Sequence, residues 1–229
     1  MLIFKLAIRN IFRQRRRSVL TALSMAGGYM LFVFSISLLE GSWSNVIDIF
    51  TLDQTGHVQI HKDDYAKRPK IYKTIADNAA VETLLSGHSE VSGWAPRAYS
   101  PALAYGGDKT SVAQIMGIDV TLEPTVTRIK QKVSEGTYFD DQPDADGYFK
   151  AMIGRGLANK LNLAVNDEIV LISAGADGSI ANDVFVISAV VGNAASFDRF
   201  GVFLPLAVAQ EFLAIGSDVH EYALLSRDK

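Results

Sequence analysis

The sequence predicts an α+β fold, in which an N-terminal amphipathic and transmembrane helix is followed by a mixed α/β extracytoplasmic domain in two subdomains. Three observations lead to this prediction. An uncharged apolar run occupies residues 19–39, a cluster of arginines directly precedes it, and short strand and helix patterns alternate from residue 57 onward. The predicted parts are a cytoplasmic amphipathic helix at residues 1–18, a transmembrane helix at 19–39, and an extracytoplasmic (periplasmic) core domain at 40–229.

The uncharged run reads VLTALSMAGGYMLFVFSISLL and is 21 residues long. At about 1.5 Å per helical residue, it spans roughly the 30 Å hydrocarbon core of a bilayer. Ten of its residues are Leu, Ile, Val or Phe, whose favourable insertion outweighs the Gly, Ser and Thr among them. A cleaved signal peptide has a shorter apolar core, and a buried soluble helix gives no reason for arginines at its threshold. The run therefore predicts a membrane-spanning helix.

Charge is distributed unevenly along the chain, which has 22 basic and 25 acidic residues and a net charge of −3. Residues 1–39 carry six basic residues and no acidic one, which leaves a net charge of −9 for residues 40–229. Because the cytoplasmic flanks of membrane helices carry an excess of basic residues, we expect the N-terminus in the cytoplasm. The residues expected at the membrane interface are Arg13, Arg15, Arg16 and Arg17 on the inner side, where they also attract anionic lipid, and Trp43 on the outer side.

The first residues of the chain have the pattern of a basic amphipathic helix on the inner leaflet. Apolar residues alternate with basic residues at spacings near three to four. The apolar positions are Leu2, Ile3, Leu6, Ile8, Ile11 and Phe12, and the basic ones are Lys5, Arg9 and Arg13. Membrane attachment explains this pattern, and contact with a cytoplasmic partner explains it equally well.

Small residues within the apolar run would let another helix approach closely. They form small-xxx-small pairs and a Gly-Gly step. The residues are Ala22, Ser24, Ala26, Gly27 and Gly28. Such pairs also occur by chance in helices rich in Ala, Gly and Ser, so a specific packing role and a chance pattern both remain open.

The remainder of the chain predicts alternating strands and helices. Beyond Leu39 the pattern LLEGSWSNVIDIF keeps its apolar residues at helical spacing, so the helix either continues above the membrane or breaks briefly at Gly41. Residues 119–149, rich in Pro, Asp and Gly, are predicted to connect two subdomains. The other expected elements are strands at 57–61, 91–105, 110–118, 150–153, 168–173, 183–191, 201–204 and 219–226, and helices at 74–86, 154–162 and 206–214.

No group of residues in the sequence predicts a catalytic, cofactor or metal site. The chain has no cysteine, which excludes disulfides, thiolate zinc sites and a cysteine nucleophile. The turn at residues 106–110 lacks the spacing of a phosphate-binding loop, and no Gly-x-Ser-x-Gly motif is present. His57 and His61 would lie about 13 Å apart on one face of a strand, too far to share an ion, so we expect solvated positions. The net negative charge argues against nucleic acid as a partner.

Four stretches of the sequence resemble one family of membrane proteins. Residues 6–28, LAIRNIFRQRRRSVLTALSMAGG, are similar to the family's N-terminus, and residues 55–65, TGHVQIHKDDY, to the start of its extracytoplasmic domain. Residues 153–172 resemble the stretch I-G-x-x-L-A-x-x-L-x-L-x-x-G-D-x-I-x-L, with Asn166 where Gly is usual. Residues 203–210 resemble the late strand and helix of the same domain. The family that these four stretches resemble is that of the FtsX-like and macrolide-exporter-like ABC transporter permeases, which include the lipoprotein-releasing permeases.

The resemblance implies an N-terminal permease half in a bacterial inner (cytoplasmic) membrane, comprising the first transmembrane helix and the extracytoplasmic core domain. Besides the lipid bilayer, it implies as partners an ATP-binding subunit, a second permease subunit in a homo- or heterodimer, and a lipoprotein or periplasmic protein. No cofactor is expected in this chain, since ATP and Mg²⁺ belong to the partner ATP-binding subunit, and the chain itself is not expected to be an enzyme. The implied function is mechanotransmission, in which the first helix carries ATP-driven motion to the extracytoplasmic domain.

Two other classes of function are compatible with the sequence. A single-pass membrane-anchored sensor or adaptor, with an extracytoplasmic domain that binds a ligand or protein, needs no second span. An anchored hydrolase is disfavoured, because no nucleophile and base can be paired in the sequence.

Overall fold

A computed structural model of the protein describes residues 5, 9, 13–76 and 78–227. Contacts divide the chain into two compact units, Met1–Ile49 and Phe50–Lys229. The apolar positions of the predicted amphipathic helix, Leu2, Ile3, Leu6, Ile8, Ile11 and Phe12, lie outside the described residues. That prediction therefore stays untested.

Most described residues of the first unit belong to helix α1, Arg15–Phe50, which has 36 residues. Within the described part of the chain it is the one helix that is long and apolar enough to cross a membrane. Its apolar side chains are exposed, for example 71% at Met25 and 71% at Met30, as expected for a surface that would face lipid. The helix continues through Gly41 without a break, which confirms the first of the two expected alternatives.

The second unit follows α1 and begins with a π-helical turn at Thr51–Thr55. Its strands, in chain order, are β1 Val58–His61, β2 Val91–Gly106, β3 Lys109–Ile118, β4 Val133–Gly136, β5 Lys150–Gly154, β6 Glu168–Ala174, β7 Ile180–Val191, β8 Gly201–Pro205 and β9 Glu221–Ser226. Its helices are α2 Asn78–Gly87, α3 Glu123–Val126, a 3-10 turn at Ile129–Lys132, α4 Arg155–Leu161 and α5 Leu206–Phe212. The chain is therefore α+β, as predicted.

The nine strands of the described residues form one mixed sheet, which has two main parts and one added strand, β4, that pairs with β7. Six strands close on themselves in the order β2, β3, β8, β5, β7 and β6, because β6 pairs with both β2 and β7. We call this part the ring. The first half of β2 continues beyond the ring and pairs with β9, which in turn pairs with β1. These three strands are the wing. The 16-residue strand β2 thus belongs to both parts.

The main core fills the ring. All six of its strands contribute apolar side chains, joined by residues of α4 and α5. Those with no exposed surface include Ile115, Ile153, Leu157, Ile169, Leu171, Phe185, Ile187, Val202 and Leu204. A smaller cluster around Tyr222 and Leu85 lies between the wing and α2. Apolar positions that alternate along the strands supply both clusters, which is the period-two pattern by which the sequence predicts strands.

Residues 119–149, predicted to connect two subdomains, connect β3 to β5, two strands of the ring, and they are not a bare loop. Helix α3 packs on β2 and β9, and β4 pairs with β7. The predicted helix at 74–86 begins later, at Asn78, because Ile75 instead pairs with Val219 in an isolated bridge. The two predicted parts of the domain are thus joined by continuous backbone hydrogen bonds and form one compact unit.

Candidate functional site

Nine of the ten residues predicted at the membrane interface or in helix packing lie on α1, and Arg13 lies two residues before its start. Trp43 is 61% exposed, and nothing lies within 4 Å of the position a Cβ would take at Gly27 or Gly28. The side chains classed as exposed are Arg13, Arg15, Arg16, Arg17, Ala22, Ser24 and Ala26. The membrane and packing roles of these residues stay predictions.

The chain passes from helix to sheet within two residues. Gly56 has φ +69°, and a Cβ at this position would lie 2.7 Å from the carbonyl oxygen of Leu224. Only glycine accommodates both the left-handed backbone and this close approach. The next residue, His57, donates its N–H to the same Leu224 oxygen at 2.7 Å. The end of the π-helical turn is therefore fixed directly against β9.

A buried arginine on β2 reaches this turn. Arg97 is 1% exposed and donates Nη1–H to the carbonyl oxygen of Gln54 at 2.6 Å. Its Nε and Nη2 donate to the two oxygens of Glu123 on α3, at 2.9 and 2.7 Å. Nη1 also donates to Oε1 of Glu221 on β9, at 2.9 Å. A planar guanidinium suits this arrangement because its donors form a fixed fork.

The two carboxylates are as buried as the arginine, with exposures of 2% at Glu123 and 4% at Glu221. Further donors satisfy them: Thr127 Oγ1 to Glu123 at 2.8 Å, and Tyr99 Oη to Glu221 at 3.2 Å. Burial raises the pKa of Glu221, although the charges of Arg97 and His61 act in the opposite direction. We call these side chains, Arg97, Tyr99, Glu123 and Glu221, the junction cluster. Because its charges are desolvated and paired, removal of one partner would leave the others uncompensated.

Backbone hydrogen bonds hold the same turn from other directions. Arg128, beyond α3, donates its N–H to Leu52 O at 2.8 Å, and Ser226 donates its N–H to Nδ1 of His57 at 3.0 Å. Residues 51–57 are thus bonded to β2, to β9 and to the segment after α3. The arrangement offers no nucleophile and base to a substrate. What it does is bond the π-helical turn at residues 51–55 to the sheet of the same unit.

A histidine next to the cluster is fully buried. His220 accepts the N–H of Tyr99 at Nδ1, at 3.0 Å, and its Nε2 lies 2.9 Å from Ile71 O. These bonds assign the proton to Nε2, so the ring is neutral. Desolvation lowers the pKa of His220, against the opposing influence of the Ile71 carbonyl and of Asp218. Tyr65 packs against both His220 and His61, at 5.3 Å between ring centres in each case.

We expect His220 to make stability fall as the solution becomes acidic. Its pKa in the folded protein lies below the value of about 6.5 in the unfolded chain, so the unfolded chain takes up a proton first. The free energy of unfolding should therefore decrease as the pH falls through about 6.5. Thermal unfolding of the chain in detergent micelles at pH 7.5 and 5.5 measures this. The difference between the unfolding midpoints at the two pH values should shrink in His220→Gln. It should persist in His88→Gln, which changes an exposed histidine. An unchanged difference in His220→Gln would contradict the assignment.

The expectation that His57 and His61 are solvated strand positions is wrong. His57 directly precedes β1 and accepts the N–H of Ser226, while the His61 side chain is 13% exposed and lies 3.6 Å from Glu221. Both are half-buried because β1 pairs with β9 and is covered by residues near Tyr65. In the described ranges, no three His, Cys, Asp or Glu residues are placed to hold a metal ion.

Sequence reasoning missed the junction cluster. A usable signal was present, since Arg97 interrupts the otherwise apolar strand WAPRAYSPALAY at a buried position. A charged residue in such a run is rarely buried unless it is paired. Its partners were not recognisable, because Glu123 and Glu221 are separated from Arg97 by 26 and 124 residues.

Comparisons with known proteins agree with this architecture. The family model described as MacB-like periplasmic core domain matches residues 18–228. The lipoprotein-releasing system transmembrane protein LolE of Haemophilus influenzae is 23% identical over 203 residues, covering 86% of this chain and 47% of LolE. The chain thus spans about half the length of this curated relative.

Two solved structures share the fold at low sequence identity. The periplasmic region of MacB from Actinobacillus actinomycetemcomitans superposes with a TM-score of 0.52 at 12% identity, covering 75% of this chain and 74% of that one. The extracellular domain of the noncanonic ABC-type transporter YknZ from Gram-positive bacteria superposes with a TM-score of 0.51 at 12% identity, covering 74% of this chain and 82% of that one.

Proposed function

Since this chain belongs to the MacB-like periplasmic core domain family, we propose that it provides the first membrane span and the extracytoplasmic domain of an ABC transporter permease. In this proposal, ATP hydrolysis on the cytoplasmic side moves the membrane helices, and α1 carries the motion to the extracytoplasmic domain. The domain then acts on a substrate or partner outside the membrane, as in the lipoprotein-releasing type of transporter. The chain itself performs no catalysis.

The observation that carries the proposal is the bond from Arg97 to the Gln54 carbonyl, made by a guanidinium that also binds two buried carboxylates. A continuous helix from Arg15 to Phe50 leads into the turn that contains Gln54. Transmission of a movement requires that the last turn cannot rotate independently of the sheet. Several buried hydrogen bonds on one turn meet that requirement better than a flexible linker would.

The proposal includes partners and a location. An ATP-binding subunit with its Mg²⁺ and a second permease subunit, identical or different, would complete the transporter, and a lipoprotein or periplasmic protein would be handled outside. The protein would reside in the bacterial inner membrane with Arg13, Arg15, Arg16 and Arg17 on the cytoplasmic side. A single-pass sensor or adaptor would share this orientation but would need no ATP-binding subunit.

Cysteine labelling tests the orientation directly, since the natural chain has no cysteine. Val58 is 55% exposed at the start of the domain, so Val58→Cys should react with a membrane-impermeant maleimide in intact cells. Gln14→Cys, an exposed position before α1, is the matched control and should react only after the cells are opened. Labelling of position 14 but not of position 58 in intact cells would overturn the orientation and the transporter proposal with it.

Copurification separates the transporter from the sensor or adaptor. A tagged chain, expressed from its own locus and solubilised in mild detergent, should retain a subunit that binds ATP. If the chain is correctly oriented but purifies without such a subunit at native expression, the sensor or adaptor becomes the better explanation.

A further inference from the structure

The outer surface of β2 and β3 carries an apolar groove that the proposed function does not use. The residues that line it include Pro101 and Val112 on the two strands, together with Gln114, Lys160 and Phe200. The groove has a volume of about 270 Å³. Val112 is 67% exposed and Phe200 37%, and neighbouring Leu103 is 42% exposed. Contiguous exposed apolar residues of this kind, with a polar border, mark interaction sites more often than free surface.

Two cations lie over the aromatic ring at the edge of the groove. Lys160 Nζ is 5.8 Å and Arg199 Cζ 5.4 Å from the centre of the Phe200 ring. Within the described part of the chain, neither has a carboxylate oxygen within 4.0 Å. Both belong to a region with a net charge of −9, so an unpaired positive pair here is unusual. The groove therefore offers apolar contact and positive charge side by side.

The segment that bears Arg199 and Phe200 is fixed rather than loose. Phe200 O accepts the N–H of Gln114 at 3.0 Å, and Arg199 O accepts the N–H of Leu157 at 2.7 Å. Gly156 permits this approach, since a Cβ there would lie 2.9 Å from Arg199 O. The groove is thus preorganised, which reduces the conformational entropy lost on binding.

We propose that this groove docks an acidic, amphipathic segment of another protein, with aliphatic side chains on Val112 and Pro101 and carboxylates at Lys160 and Arg199. Charge complementarity argues for an acidic occupant. The groove's volume is below the usual range for small-molecule sites, and exposed residues of two strands line it, which suits side chains of a peptide. The inference is independent of the proposed function and would hold for a sensor or adaptor as well.

Charge-reversal variants test the proposal, with the full chain reconstituted in phosphatidylcholine nanodiscs. The probe is a short fluorescent peptide in which leucine and glutamate alternate, and its binding is measured by anisotropy. We expect Lys160→Glu combined with Arg199→Glu to weaken binding about tenfold, since each reversal removes one ion pair and adds a repulsion. The matched peptide with lysine in place of glutamate should prefer the variant over the natural chain.

Matched variants report whether the effect belongs to the groove. Lys67→Glu with Arg68→Glu changes net charge equally at exposed positions elsewhere and should leave binding unchanged. Val112→Asp should abolish it, and Ile180→Asp, at an 80% exposed apolar position outside the groove, should not. Equal binding of both peptides to the natural chain and the reversal variant would overturn the proposal. The proposal would also be overturned if vesicles containing phosphatidylglycerol displaced the peptide from this groove and lowered its anisotropy, while the natural chain bound the acidic and the basic peptide equally. That result would show a lipid site instead.

Discussion

Replacing Arg97 with methionine is expected to lower the free energy of unfolding by about 3–5 kcal/mol. Methionine fills a similar apolar volume but removes the cation between Glu123 and Glu221, which are 2% and 4% exposed. The two carboxylates would then lie desolvated without a counter-ion, and the Gln54 carbonyl would lose its donor. Urea unfolding of the chain in detergent micelles measures the loss, with the fluorescence of Trp94 reporting on the wing, where it packs against Tyr222.

Two variants distinguish the buried pairing from a mere change of size. Combining Arg97→Met with Glu123→Gln and Glu221→Gln should recover much of the loss, because the uncompensated charges are gone. Arg68→Met, at an exposed position, should change stability by less than about 0.5 kcal/mol. A loss below about 1 kcal/mol for Arg97→Met would contradict the structural role of the cluster.

Hydrogen exchange locates the same effect. In Arg97→Met, amides of residues 51–57 should exchange faster, because this turn loses a side-chain tether. Amides in the ring, such as those of β6 and β7, should keep their protection under conditions where the protein remains folded. A uniform increase across the ring would indicate general destabilisation and would remove the support for a specific tether from Arg97 to this turn.

The Gly154→Ala substitution is expected to be comparably severe, at about 3 kcal/mol or more. A Cβ at Gly154 would lie 2.1 Å from Asp198 O and 2.6 Å from the backbone carbon of Arg199. These are backbone atoms, so no side-chain rotation relieves the overlap. The segment cannot move away easily, because Leu157 N–H bonds to Arg199 O and Gly201 N–H bonds to Asp198 O. The backbone of Gly154 itself, at φ −67° and ψ 144°, would suit alanine.

The glycine at the end of α2 provides the control. Nothing lies within 4 Å of the Cβ position at Gly87, and this residue does not need a left-handed backbone. Gly87→Ala should therefore leave the midpoint of urea unfolding nearly unchanged. If Gly154→Ala were tolerated as well as Gly87→Ala, the segment after Asp198 could not be packed as described, and the preorganisation of the groove beside Phe200 would also fail.

Local patterns in the sequence predicted most elements closely. The uncharged run with its arginines predicts α1, and alternation predicts β2 and β3 to within one or two residues of their bounds. Periodicity succeeds here because a side chain's environment follows from neighbours two or four residues away. The helix at 74–86 began too early in the prediction because Ile75 pairs with Val219, a distant strand partner that no local pattern reveals.

The motif at residues 153–158 shows how a pattern can be recognised before its physical reason is known. The resemblance marked Gly154 without explaining it, whereas the fold explains it by the backbone of residues 198–199 that crosses it. His57 and His61 show the opposite case. Their spacing led to the expectation of solvent exposure, which is wrong because the bond from Ser226 and the contact with Tyr65 come from other parts of the chain.

The amino-acid order alone determined a long lipid-compatible helix, an α+β domain behind it and the absence of recognisable catalytic motifs, because each follows from composition or from contacts between near neighbours. Only the tertiary structure decided that Arg97 is buried between Glu123 and Glu221 and reaches Gln54. Charge burial depends on partners that compensate desolvation, and these partners come together only when β2, α3 and β9 have packed.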